Sequence, residues 1–544
     1  MREQNLIHAR ASAVLYVFHP KMDVGMLTRI EEFKKFRESL YSFFPKRPDA
    51  IMNLLDALSS FGHQARSVVE LSEAECFERQ YSSITDAIAD GLPKVDWSGI
   101  ERHLFHTMID YSKEPLCFLL DCTPNPRPFA KTLQDRSITH CPNPAPGNKP
   151  ICVGHAYSCI ALLPADSLAH DKKWLIPLSM RRVPSNVKGH EMGMQQLLEH
   201  LTQLNLGDQL AISVTDSLYG SEECRRIASI RDTLVDIFRI RNNRNVYSLP
   251  DQETESKMRG RKKEYGQVMS LAKSSTHPKV DEHCEIEWQA SNGRIYTVKI
   301  DAWYNKLFRG SKKFRSSQHP ITLLRVCLVD QQGNPLFKKQ MWLGVQGKQR
   351  DQLSLSSISQ YYRSRYNIEH FFRFGKTKLL LDKYQTPEST HDESWWKFCL
   401  LAYSQLYMAR SLVPQKLKPW ERYLPEYRER KDTKASISTA SQTQRGFAEL
   451  LKDIGTPAKP CVARGRNSGR KKGECVGKRV EQEIKFKPRK NKKSEQKIII
   501  PGFENTDANS NPEKIQTLIN TIITVLKKLN ITTASFTQML CDTS

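Results

Sequence analysis

Between residues 23 and about 105, apolar side chains recur every three or four positions: Leu27, Ile30, Phe33, Phe36 and Leu40 form one stripe, and RPDAIMNLLDALSSFG follows with its own. That period predicts amphipathic helices packed on one another. Residues 1–105 are therefore read as an all-helical domain, with Arg and Lys between the apolar positions suited to DNA backbone contact. The texture then changes. PLCFLLDCT is a continuous apolar run that stops at Asp121, and QLAISVTDSLYGS is a second that stops at Asp216. Such runs predict strands buried on both faces; ICVGHAYSCIALLP and KKWLIPLSMRRV add two more. Residues 106–225 are expected to hold the first part of an α/β core, a mixed sheet flanked by helices.

From 226 to 350 the pattern is strand, Gly/Asn-containing turn, strand, in HCEIEWQASNGRIYTVKIDAW and again in ITLLRVCLVDQQGNPLFKKQMWLGV. These read as hairpins of a β-rich insertion. Helical periodicity resumes over 351–430, where SISQYYRSRYNIEHFF and ESWWKFCLLAYSQLYMAR supply the second part of the core. Residues 456–500 carry fifteen Lys/Arg against four Glu, a composition that cannot bury a core, so 431–500 is expected to be a disordered basic linker. The last stretch, 501–544, predicts an amphipathic helix: Asn511 as N-cap, Pro512 at the first helical position, then Ile515, Leu518, Ile519, Ile522, Leu526 and Leu529 on one face. That face calls for a partner, either the body of the protein or a second copy of the chain.

Composition changes this picture in one respect. A net charge of +24 on 544 residues points to a polyanionic partner. No apolar run approaches the roughly 18 residues a membrane span requires, and ASAVLYVFH is too short for a secretory segment, so a cytoplasmic protein is expected. Thirteen scattered cysteines fit reduced thiols. His140, Cys141, Cys152, His155 and Cys159 lack the regular spacing of a zinc finger or ribbon, and buried strand residues are the expectation there.

Candidate chemistry centres on YYRSRYNIEHFFRFGKTK, residues 361–378, where one acid sits among basic and aromatic residues. On a single helix, Tyr362, Arg365, Glu369 and Lys376 share a stripe about 60° wide. Alone, this is a solvated face in which Arg365 pairs with Glu369 at i, i+4. Asp121 and Asp216, each at the end of an apolar strand, change that reading, because strand ends in α/β sheets are where catalytic groups project. Three converging carboxylates repel one another unless a divalent cation neutralises them, and hard oxygen ligands suit Mg²⁺ or Mn²⁺. Two such ions would serve phosphoryl displacement.

The spacing Tyr362-(2)-Arg365-(3)-Glu369-(6)-Lys376 resembles the Y-(2)-R-(3)-E-(6)-K signature of a group of bacterial insertion-sequence transposases, which have a DDE active site on an RNase H-like fold. The layout is similar too: FLLDCT for the first acid, SVTDSLYG for the second and a β-rich insertion before the third. The resemblance covers about 90–430. It implies that Asp121, Asp216 and Glu369 are catalytic metal ligands for Mg²⁺ or Mn²⁺, two ions in all, and that Tyr362, Arg365 and Lys376 contact DNA. It also implies an enzyme that cuts transposon ends and joins them to target DNA, acting as a homodimer in the nucleoid. Cys122 and Thr123 depart from the small residues common after the first acid. Some members flip a base onto an aromatic ring; Trp288, Trp303 and Trp342 could serve so, but core packing is the favoured reading of each. RIRNNR, residues 239–244, reads either as a backbone-binding patch or as a solvated loop. The alternatives are a DNA-binding protein without catalysis and an RNase H-like nuclease without strand transfer.

Overall fold

The computed structural model describes residues 24–486, apart from 110–114, 142–143, 145–146, 148, 165–172, 251–262, 291–292, 414–422, 424–436, 463–472 and 474–476. The expected C-terminal helix and its dimer face lie outside the described residues.

The centre of the molecule is a mixed sheet whose first five long strands are β1 (Leu116–Pro126), β3 (Ile151–Leu162), β4 (Ile176–Val183), β5 (Ala211–Thr215) and β6 (Leu234–Ile240); a short β2 (Ser137–His140) pairs with the start of β3. They lie in the order β4-β3-β1-β5-β6, with β3 antiparallel to both β4 and β1, and β1, β5 and β6 parallel. This is the RNase H-like arrangement. The apolar runs explain it: Leu116, Cys117, Phe118, Leu119 and Leu120 are buried on both faces, as are all five residues of β5.

Helices cover each face. The helices α4 (Gly189–Gln203) and α5 (Glu222–Ala228) lie on the Cys122 side, where α4 begins so close to β1 that a Cβ on Gly189 would sit 2.8 Å from the Cys122 sulfur. On the opposite side lie α6 (Leu355–Ser364), α7 (Tyr366–Lys378) and α8 (Ser389–Ala409), the last stacking Trp396 on Tyr157 of β3 at 4.0 Å between centroids. A buried network ends on Asp392 of α8, which accepts hydrogen bonds from Tyr157, at 2.6 Å, and from Arg127.

The β-rich segment is not a separate sheet. Strands β9 (Glu282–Gln289), β10 (Ile295–Lys306), β11 (Ile321–Val329) and β12 (Met341–Gln346) form the expected hairpins, and β12 pairs antiparallel with β6. The core sheet thus runs on through the insertion, in the order β1-β5-β6-β12-β11-β10-β9. Its fifth core strand, β6, falls past residue 225, where the apolar pattern had placed the boundary. A ribbon of β7 (Asn245–Tyr247) and β8 (Val268–Ser270) closes a second small core containing Phe238, Trp303 and Trp342.

The N-terminal region is helical, as its period predicts: α1 (Val24–Ser42), α2 (Pro48–Phe61) and α3 (Trp97–Met108). Its buried residues join those of the central sheet in one continuous core. The expected linker 431–500 is also partly ordered. Helix α9 (Ala440–Ile454), with a capping box at Thr439 and Gln442, buries Phe447, Leu450 and Leu451 against α2 and α8. That short stripe precedes the basic run, whose charge had dominated the reading of the whole segment. Within the basic run, the Gln482 and Lys485 amides donate to the carbonyls of Lys131 and Arg136.

Arg37 of α1 and Asp56 of α2 form an ion pair at 2.7 Å with both side chains 1% exposed, and Thr456 and Gln405 also donate to Asp56. Arg37→Ala should cost about 3–5 kcal/mol in urea unfolding, because it strands a buried carboxylate, and Arg37→Ala with Asp56→Ala should recover part of that loss.

Candidate active site

Parallel pairing decides where the first two acids go. Leu119 of β1 is in register with Val214 of β5, and two residues further along the same pair of strands come Asp121 and Asp216. Asp216 directly follows the last residue of β5, but Asp121 does not end its strand as the apolar run had suggested: it closes the apolar half of β1, and pairing with β3 carries the strand on to Pro126. The Asp121 Oδ1 accepts from the Cys122 amide at 2.8 Å, and the Asp216 Oδ1 accepts from the Leu218 amide at 2.8 Å in the turn that follows β5.

The third acid arrives on α7. The signature is not carried on one straight helix: Arg365 is the junction of α6 and α7, where its amide bonds to the Tyr362 carbonyl and its own carbonyl accepts from Ile368, both three residues apart. From that junction the Arg365 guanidinium donates through Nη1 to Glu369 Oε1 at 2.8 Å and through Nη2 to Asp121 Oδ2 at 3.0 Å. The expected i, i+4 pair is present, but the same cation also spans 244 residues of sequence to the first acid. It is 15% exposed and Asp121 18% exposed, so neither charge is freely solvated.

The electrostatics follow. Burial pushes the Asp121 carboxyl up to about 6, and the charges of Asp216 and Glu369 push the same way, against Arg365 and the Cys122 amide. Lys376 donates to the Pro124 carbonyl on β1 at 2.8 Å, and burial lowers its pKa. Tyr362 is buried, with its hydroxyl pKa raised chiefly by burial and further by Asp216 and Glu369, while Arg365 and Arg239 oppose the shift. All six residues singled out by the motif and the strand ends therefore belong to one neighbourhood. Cys122 points away from it, toward the Tyr219 hydroxyl at 3.7 Å, so that departure from the resemblance sits on the far face of the sheet.

Beside this group lies a cavity of about 400 Å³ lined by Tyr362, Arg365, Arg239, Trp288, Arg363 and Phe337, among others. Arg363 stacks over Trp288 at 4.0 Å, and Trp288 stacks on Tyr296. Of the three tryptophans considered, Trp303 and Trp342 are 1% and 0% exposed in the second core; only Trp288 borders the cavity. Arg239 opens the RIRNNR patch noted in the sequence, whereas Arg363 and Phe337 could not be picked out there, because only the extended sheet brings their segments together.

The comparisons fit this geometry. Residues 39–306 match the family described as DDE superfamily endonuclease. No curated protein matches the chain. The matched span is just under half of the chain; it supports a nuclease of the DDE type acting on DNA, takes in Asp121 and Asp216, and ends before Glu369. No helix among the described residues is long and apolar enough to cross a membrane.

DDE superfamily enzymes use divalent metals such as Mg²⁺. The donor types here fit such an ion: three hard carboxylates, one of them with its pKa raised chiefly by burial and further by the charges of the other two. Among the described residues, no three His, Cys, Asp or Glu side chains stand close enough together to hold an ion in this conformation, because the Arg365 guanidinium is the cation between Asp121 and Glu369. The zinc alternative fails for its own reason: His155 is buried, bonded to Asp392 and the Gln134 carbonyl, and Cys159 is buried in β3.

Since the folded-state pKa of Asp121 lies above its unfolded value, folding is disfavoured by its ionisation, and stability falls as pH rises from about 4 through about 6. Asp121→Asn should therefore stabilise the metal-free protein by up to about 2 kcal/mol at pH 7 to 8, with no gain below pH 4, in thermal unfolding with a chelator.

Proposed function

We propose that this DDE-type nuclease is a transposase. It recognises the ends of an insertion sequence, cuts there and joins the freed 3′-hydroxyls to target DNA. The observation that carries this reading is the Arg365 guanidinium held by both Asp121 and Glu369 next to Asp216. One arginine already serves two of the three acids as counter-ion. Asp121, Asp216 and Glu369 are the residues that would hold the metal ions, which when bound supply Lewis-acid stabilisation of the pentacovalent phosphorus.

The chain's own groups do the rest. In cleavage, water adds to the scissile phosphorus and the P–O3′ bond breaks, leaving a 3′-hydroxyl and a 5′-phosphate. In joining, that 3′-oxygen attacks a target phosphorus; a new phosphodiester forms, and the departing target 3′-oxygen takes up a proton. Arg365 suits a bidentate phosphate contact once released from the carboxylates, and Lys376 supplies a point charge beside β1. Tyr362 and Trp288 offer aromatic faces to a base, and Arg363 already shows that the Trp288 face accepts a flat cationic group. Joining two ends requires two active sites, hence a homodimer in the working complex. Homodimerisation and association with the nucleoid belong to this proposal.

Asp121→Asn, Asp216→Asn and Glu369→Gln should each lower Mg²⁺-dependent nicking of an end-bearing duplex by at least about a thousandfold, while DNA retention in a gel shift persists. A joined product in the same assay distinguishes transposition from simple hydrolysis; nicking that survives any of the three substitutions would sink the assignment.

Arg365→Ala leaves the acids without their internal counter-ion. In DNA-free protein it should tighten Mn²⁺ binding by about tenfold, read by titration calorimetry, while reducing DNA nicking. Unchanged or weaker Mn²⁺ binding would contradict the view that Arg365 stands in for the metal.

A further inference from the structure

Strand transfer brings two DNA molecules to one set of carboxylates, and the two sides of that set are built differently. On the β1 side, α7 carries Glu369 and Lys376, and Lys376 is tied to β1 at Pro124. On the other side β6 runs parallel to β5, with Thr215 in register with Phe238, so Arg239 lies beside Asp216. Two residues on, Arg241 donates from Nε to the Ser217 hydroxyl at 3.2 Å.

From there an exposed basic surface continues. Residues 239–247 and 307–315 together contain seven Arg/Lys and no Asp/Glu. The two segments are joined by backbone: Tyr247 and Leu307 exchange hydrogen bonds at 2.8 and 2.7 Å. The second segment is anchored by its aromatic residues, since Phe308 packs on Phe238 and the buried Arg225 of α5 stacks over Phe308 and Phe314 at 4.6 and 5.4 Å. Arg244 is near enough to Arg225 to act on its charge. Arg239, Arg241, Arg244, Arg309, Lys312, Lys313 and Arg315 are all exposed. Among the described residues, none of them has a carboxylate within ion-pairing distance; the nearby acids Glu222 and Glu223 are engaged by Ser311 and Arg226.

Unpaired like charges gathered on a rigid platform destabilise the free protein and are relieved by a polyanion. A loop held by three aromatic contacts keeps its cations in place without DNA, which lowers the ordering cost of binding. We propose that this ridge, running from Arg241 beside Asp216 to the 309–315 loop, is the backbone-binding track for the target duplex. The end duplex lies on the α7 side. The contacts are to phosphates, so the track accepts any sequence.

The inference rests on the transposase reading, and the test separates the two. The full chain carrying Lys312→Glu, Lys313→Glu and Arg315→Glu is compared with the native chain. Both are given the duplex that the native chain nicks with Mg²⁺, together with an unrelated supercoiled plasmid as recipient. The ratio of joining to nicking should fall at least about tenfold, with nicking within about twofold of native. Nicking and joining falling together, or neither changing, would overturn the assignment. Should the native chain nick nothing, the transposase reading fails; the track is then judged by binding alone. For that, and should charge reversal disturb folding, the milder Lys312→Ala, Lys313→Ala and Arg315→Ala variant is titrated with a short mixed-sequence duplex. Its slope of log affinity against log salt should be shallower by about 3 than native; an unchanged slope would refute the track.

Discussion

Like charges brought together by an apolar sheet need a counter-charge, and much of this molecule is arranged around that need. β1 and β5 are buried on both faces, so their register is set by packing, and packing places Asp121 beside Asp216 whatever the cost of their repulsion. Glu369 adds a third negative charge from α7. Arg365 offsets part of this from a break between two helices, where its backbone geometry lets one guanidinium reach Asp121 and Glu369 at once. The pKa of Asp121 is still raised, chiefly by burial and further by the charges of Asp216 and Glu369. A site in this condition favours whatever cation can replace a single arginine with more charge and more coordination.

The continuation of the sheet through β12, β11, β10 and β9 gives the insertion a mechanical role. Because β12 pairs with β6, the hairpins are locked to the strand next to Asp216. Trp288 and Phe337 are thereby carried to Tyr362 and Arg363, and the 307–315 loop to the end of β6. Trp303 and Trp342 are the internal support of that extension, stacked at 5.6 Å between centroids in the second core. Rigid pairing of this kind suits surfaces that must hold nucleic acid in a fixed relation to the acids.

Much of the fold was legible. Four of the five core strands, the hairpins and the N-terminal helices follow from periodicity, since burial on one or both faces writes itself directly into residue order. Where the reading differed, local pattern was ambiguous. The amphipathic stripe of α9 is only Phe447, Leu450 and Leu451, too short to stand out beside a basic run. The strand β6 has the same apolar texture as an insertion strand, and only its partners distinguish them. The helix over 361–378 was foreseen, but its break at Arg365 was not, because no Gly or Pro marks it.

By itself the sequence determined which residues carry charge and where most buried strands lie; it offered Asp121 and Asp216 through their places after apolar runs, and Glu369, Tyr362, Arg365 and Lys376 through a spacing that resembles a family signature. Spacing is a one-dimensional property, and on a helix or strand it converts to a face. It could not say that Arg365 serves Asp121 as well as Glu369, that Cys122 faces the other side of the sheet, or that Trp288 alone among three tryptophans reaches the cavity. Those are decided by which strands pair and which faces meet. Pairing joins residues as far apart as Leu116 and Ala211 or Ile240 and Trp342, and the energy of each such contact exists only once the chain has folded.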